Sequence, residues 1–209
     1  MSIRRLAALA AIAALGLLAL GSASASATTS LRTDPGGGLL SGSLTIKNTT
    51  ADPAVLETAA GTITCNQTFF DADVNSNTSA TTIGGKLTSL TFTSCTDTLL
   101  AVNISSCTLH AASVPTVTIS ANAGGGTITL GHTVVRCANG LTGCYFTTVN
   151  ATGAAVNATS SIDFTASATA VAPTTDAVPA GNCGSSGAFS VKLTHIVSAT
   201  NATVTVTTS

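Results

Sequence analysis

The chain has 209 residues; 44% are hydrophobic, only 7% are charged and 3% aromatic, with no Trp and a net charge of −1. So little positive charge excludes the electrostatic footprint that nucleic acids and anionic membrane surfaces require of their partners. Low charge with few bulky apolar groups also fits disordered chains, but the high and periodic content of Thr, Val and Ile here argues for folded β structure.

In chain order, Arg4 and Arg5 precede an apolar run from Leu6 to Leu20, and small residues then end in Ala25-Ser26-Ala27. This succession reads as a secretory signal peptide over residues 1–27, cleaved after Ala27. The run is short for a membrane span, and no later stretch is long and apolar enough to make one. The Arg pair hints at twin-arginine export, although its neighbours match that signal poorly. Beyond Ala27 there are five basic residues against eight acidic ones.

Residues 28–42 read as a flexible leader, because Asp34-Pro35 and three glycines cannot hold a helix. Residues 43–209 read as one domain. Ser43–Lys47 and Ala54–Glu57 suit short strands. The stretch from Gly61 to Cys95 organises the rest: Thr62–Val74 and Leu87–Cys95 are β-rich runs on either side of Asn75-Ser76-Asn77-Thr78, a turn-forming sequence. Folding back near Asn77 sets Cys65 against residues 90–93, and a bulge at Gly84-Gly85 would bring it to Cys95.

Further strands are expected at Leu99–Ser105, Cys107–Ala111 and Pro115–Ala121, with a flexible turn at Gly124-Gly125-Gly126. From 127 to 134, Ile128, Leu130, His132 and Val134 alternate with smaller residues at a period of two. Cys144–Val149 and Ile162–Ala170 follow, then the long connection Val171–Gly181. A last hairpin places Phe189, Val191, Leu193, His195 and Val197 on one face, with Ala202, Val204 and Val206 returning. No segment past the signal carries an apolar period of 3.6. The expected fold is all-β: an antiparallel β-sandwich, Ig-like or related, with about ten to twelve strands. A short echo (Cys65 leading to Phe69-Phe70, Cys144 leading to Tyr145-Phe146) suggests two related halves.

Six cysteines in an exported chain read as disulfides. The favoured pairing is sequential, Cys65–Cys95, Cys107–Cys137 and Cys144–Cys183, since neighbouring strands usually pair. Its rival joins Cys137 to Cys144 across Asn139-Gly140. The lack of any C-x-x-C spacing speaks against structural zinc.

Asp71, Asp73, Asn75 and Asn77 offer oxygen ligands at every second position and are a weak candidate Ca²⁺ site. The EF-hand pattern would need Gly at the sixth position and an acid at the twelfth, where Ser76 and Thr82 stand. The competing reading is a strand edge running into an Asn-rich turn. His132 and His195, on the apolar faces of alternating strands, suit either a shared metal or acid–base pair or two packed core histidines. His110 has the opposite parity to Cys107 and Leu109 and is expected to be exposed. Gly184-Ser185-Ser186-Gly187 is one residue short of a hydrolase nucleophile elbow, and nothing marks Asp97 and Asp163 as a carboxylate pair, so no enzyme is expected. Seven N-x-S/T sequons occur, at Asn48, Asn66, Asn77, Asn103, Asn150, Asn157 and Asn201.

The signal sequence, TITC, SLTFTSC, GCYF and NCGSSGAFSV together resemble a broad group of Ala/Thr-rich, cysteine-paired exported β proteins of actinobacteria. The resemblance spans Gly61 to Val197; it implies an exported β-sandwich and carries no activity with it. The composition is also similar to that of small chromoprotein apoproteins, which hold a ligand in a sandwich cleft, although length and cysteine count differ.

The expected role is therefore that of a secreted or cell-envelope, non-enzymatic structural or interaction protein with no resident cofactor except candidate Ca²⁺. The alternative is an extracellular binding module for a small apolar ligand or a glycan. With no Trp and one Tyr there is little for a sugar to stack on, so a Phe-lined apolar cleft is the feature that would favour the alternative. An envelope pore would need aromatic girdles the chain lacks.

Overall fold

The computed structural model describes residues 29–33, 38–39, 44–74, 82–99, 103–111, 113–122, 125–139, 142–156, 160–171, 180–184, 186–198, 200 and 203–208. The signal peptide, the turn at Asn75–Thr78 and most of the 171–181 connection lie outside these residues.

The described residues form fourteen strands. They are β1 (Thr29–Thr33), β2 (Leu44–Ala51), β3 (Ala54–Thr58), β4 (Gly61–Val74), β5 (Thr82–Asp97), β6 (Ser106–Leu109) and β7 (Thr116–Asn122). The remainder are β8 (Gly125–Leu130), β9 (Thr133–Asn139), β10 (Thr142–Thr148), β11 (Ala151–Val156), β12 (Ser161–Val171), β13 (Ser186–Ser198) and β14 (Val204–Thr208). The only helical element among the described residues is a single 3-10 turn, Ala180–Cys183. The fold is an antiparallel β-sandwich, as its strand patterning indicates. One layer centres on β4 and β5 and the other on β12 and β13; Phe70 meets Phe164 and Phe92 meets Phe189 between them, with centroids 6.4 and 5.6 Å apart.

Strand pairing closes on itself twice. The first ring runs β3-β4-β5-β6-β9-β10-β12-β13 and back to β3. The second runs β2-β4-β5-β7-β8-β11-β12-β13 and back to β2. Four long strands, β4, β5, β12 and β13, belong to both rings, so neither ring corresponds to one half of the sequence. Closure also leaves few open sheet edges, the usual template for aggregation.

All three disulfides lie in the first ring. Cys65 bonds Cys95 across β4 and β5, Cys107 bonds Cys137 across β6 and β9, and Cys144 bonds Cys183 at the 3-10 turn. The rival partners Cys137 and Cys144 do face one another across β9 and β10, but the Cys137 sulfur is bonded to Cys107. Three bridges place the chain in an oxidising compartment.

Several details differ from the sequence reading. The register between β4 and β5 shifts at Asp71/Ala72, where the Thr88 hydroxyl donates to the Asp71 carbonyl (3.1 Å), and not at Gly84-Gly85. Gly85 instead lets β5 lie close against β4: a Cβ there would overlap the Asp73 carbonyl oxygen. Leu99–Ser105 is not a strand in its described part, because Asp97 draws the connection inward by accepting from the Leu99 and Ile104 N–H groups (3.0 and 2.6 Å).

The largest correction concerns the leader. Residues 29–33 are not loose: they form β1, paired with β14 at the far end of the chain. Consecutive residues of both strands are buried (Thr29, Ser30 and Leu31; Val204, Thr205 and Val206), so both faces of this ribbon are covered. Leu31, Val204 and Val206 pack on Ile119, Ile128 and Ile162 of the second ring, leaving a void of only about 10 Å³.

Candidate functional site

The first ring is packed differently. Its interior is closed by sulfur and by Phe92, Phe146 and Phe189, with no terminal ribbon to fill it. Phe92 comes from β5, Phe146 from β10 and Phe189 from β13, and β-strand alternation points each toward the interior. Phe92 and Phe146 are buried, while Phe189 is half-buried and edge-on to Phe92. These bulky rings meet at an angle and leave a cleft of about 60 Å³, bounded also by Leu56, Leu130 and Ala151. Its lining is carbon almost throughout.

A second void of about 30 Å³ shares the side chains of Leu56, Phe92, Val135 and Phe189 with the first and reaches Cys65, Cys107 and Cys137. Both voids lie beside β9, the first against Thr133 and Val135 and the second against Val135 and Cys137. At about 3.3 Å per residue this length of strand covers about 13 Å.

The cleft lies where the two rings part, beside the β8–β9 and β10–β11 connections. There the His132 Nε2 lies 3.0 Å from the Thr147 hydroxyl, tying the first connection to β10. The Thr133 hydroxyl donates to the Gly131 carbonyl (2.8 Å). Gly131 is needed because its Cα lies against Thr116: an added Cβ would sit 2.6 Å from the Thr116 hydroxyl.

The histidines expected on apolar faces are both exposed. The β8 strand ends at Leu130, so His132 stands in a connection where the alternation no longer applies. His195 remains on β13, but its backbone is left-handed (φ 51°), which breaks the alternation of Val191 and Leu193; beyond it Ile196, Val197 and Ser198 are all buried. The two histidines are thus no inward pair. His110, expected outside, is half-buried with its ring edge-on to Tyr145 at 5.4 Å.

Asp71 and Asp73 lie on β4, both half-buried, opposite Ser89 and Lys86 of β5. They sit on an extended strand paired on both sides, with β2 as well as β5. Asn75 and Asn77, the other members of the Ca²⁺ candidate, lie outside the described residues. Among the described residues, the Sγ atoms of Cys65, Cys95 and Cys107 lie within 4.8 Å of one another. All three are bonded in disulfides, and a metal requires the thiolate. The serine elbow candidate has a packing role at both ends: Gly184 (φ 77°) lies against Thr58, and Gly187 against the Glu57 carbonyl oxygen.

The cleft itself was not foreseeable from spacing. Phe92, Phe146 and Phe189 are each more than 40 residues apart, and only the ring closure brings them together. Compared with protein-family models, curated proteins and solved structures, the chain matches none.

Proposed function

We propose that this protein is a non-enzymatic binding module that works outside the cytoplasm, secreted or held at the cell envelope, and that it takes a small apolar ligand. The observation that carries the reading is the Phe-lined cleft of about 60 Å³ at the junction of the rings. A sandwich kept only for mechanical support would gain from filling such a space, since an unfilled apolar void forfeits dispersion contacts. The cleft is smaller than the roughly 150 Å³ cavity known to hold benzene, so compact or narrow ligands suit it.

Export is supported by the N-terminal basic, apolar and small segments and by the three bridges. N-terminal sequencing of the exported protein should read Thr28-Thr29-Ser30; an intact Met1 would remove the export reading.

The binding reading is tested by melting the protein in buffer equilibrated with ethane under pressure, a probe small enough for the cleft. A ligand that binds only the folded state raises the melting temperature. The wild type should melt higher with ethane, whereas Ala151→Leu, which places a larger side chain in the cleft, should lose the increment. No increment in the wild type would sink the proposal and leave the structural role as the reading.

A further inference from the structure

A cavity much larger than the apolar cleft lies on the outer face of β5 and β6. There we propose a second binding site, one for a neutral saccharide, which does not depend on the cleft.

The groove exists because two strands part. β5 pairs with β7 as far as Lys86 and with β6 from Thr91 onward. Among the described residues, Thr88, Ser89 and Leu90 have no strand beside them on that edge. The opening holds about 410 Å³, within the roughly 300–1,000 Å³ typical of small-molecule sites. Both walls are tied in place. On one side the Leu87 N–H donates to the Pro115 carbonyl (2.9 Å) and the Thr88 hydroxyl to the Asp71 carbonyl (3.1 Å). On the other, the His110 N–H donates to the Val134 carbonyl and the Ser113 N–H to the His110 carbonyl (both 2.8 Å). The His110 ring rests edge-on against Tyr145. A site held open in this way has little freedom to lose when a ligand enters.

The lining is polar where the cleft is bare. Asp73, Lys86 and His110 line the groove together with Thr88, Thr91 and Thr108. Only 7% of the chain is charged, so an acid, a base and an imidazole on one groove are a marked concentration. The acid and the base oppose one another in sign, which favours neither an anion nor a cation. They suit ligand hydroxyls instead: a carboxylate accepts from a hydroxyl, an ammonium donates to one, and such charge-assisted bonds are the stronger kind. Phe69 supplies the apolar partner. It is 48% exposed and is the only exposed Phe or Tyr among the described residues. It stands directly opposite Thr91, and facing residues of paired strands share a face. A pyranose carries hydroxyls around its edge and C–H groups on its faces, so it matches a polar groove bordered by an aromatic ring.

Titration calorimetry of the oxidised mature protein with maltotriose, cellotriose, mannotriose and tri-N-acetylchitotriose tests the proposal. At least one of the four should bind with a dissociation constant of about 1 mM or tighter. Phe69→Ala and Lys86→Gln alter exposed side chains and so keep the fold. Each should weaken that sugar about fivefold to tenfold. Both variants should keep the wild-type melting increment with ethane, since neither touches the cleft. The acidic trisaccharide trigalacturonate should bind no more tightly than the neutral one, because Asp73 faces Lys86 across β4 and β5. No binding by any of the four, binding indifferent to both substitutions, or a tenfold preference for trigalacturonate would overturn the saccharide site and leave the apolar-cleft reading as it stands.

Discussion

One carboxylate fixes the path of the chain between β5 and β6. Asp97 accepts from the N–H groups of both Leu99 and Ile104, and Leu99 and Ile104 are themselves buried. Replacing it by Ala leaves two buried donors without a partner, so Asp97→Ala should lower stability by about 1–3 kcal/mol in urea unfolding. The opposite sign is expected at Thr205, a buried residue whose hydroxyl has no hydrogen-bond partner. Thr205→Val keeps the shape and removes the unsatisfied oxygen, and should stabilise by about 1 kcal/mol in the same assay. At this scale the sequence misleads where one residue interrupts a period. His195 fits an alternating pattern over Phe189, Val191 and Leu193, yet a single left-handed φ turns it to solvent. Nothing in its side chain announces that angle. His132 is misread for a related reason: alternation counts on past Leu130, where the strand has already ended beside Gly131.

Elements built from near neighbours were the legible ones. The β4–β5 hairpin could be read from two β-branched runs around an Asn-rich turn, and Cys65 opposite Cys95 from folding that segment on itself with a bulge, although the register shift falls at Asp71/Ala72 and not at the glycines. The β1–β14 ribbon was illegible because its partners are separated by nearly the whole chain, and a lone Leu31 between polar residues carries no period. Its burial nevertheless gives it weight. Leu31→Ala removes a large side chain from the second ring and should cost about 2–5 kcal/mol, read as a lower urea midpoint. The effect would be near zero if the ribbon were only a loose appendage.

At the scale of the whole molecule, the described residues make two closed rings that share four long strands, one filled by the terminal ribbon and the other braced by disulfides around incompletely filled apolar voids. Bridges restrict the unfolded chain most where the loop they close is long, and the first two each span 30 residues. Removing both cysteines of the Cys65–Cys95 pair should therefore cost about 2–5 kcal/mol. A core held by such restraint can tolerate unfilled space that would otherwise be closed by repacking, which ties the oxidised state to the cleft. The most direct test of that claim is diffraction from crystals of the oxidised protein under xenon pressure, since xenon enters dry apolar cavities. The account predicts xenon density between Phe92, Phe146 and Phe189; a wild-type crystal in which those three rings close on one another and exclude the gas would contradict it.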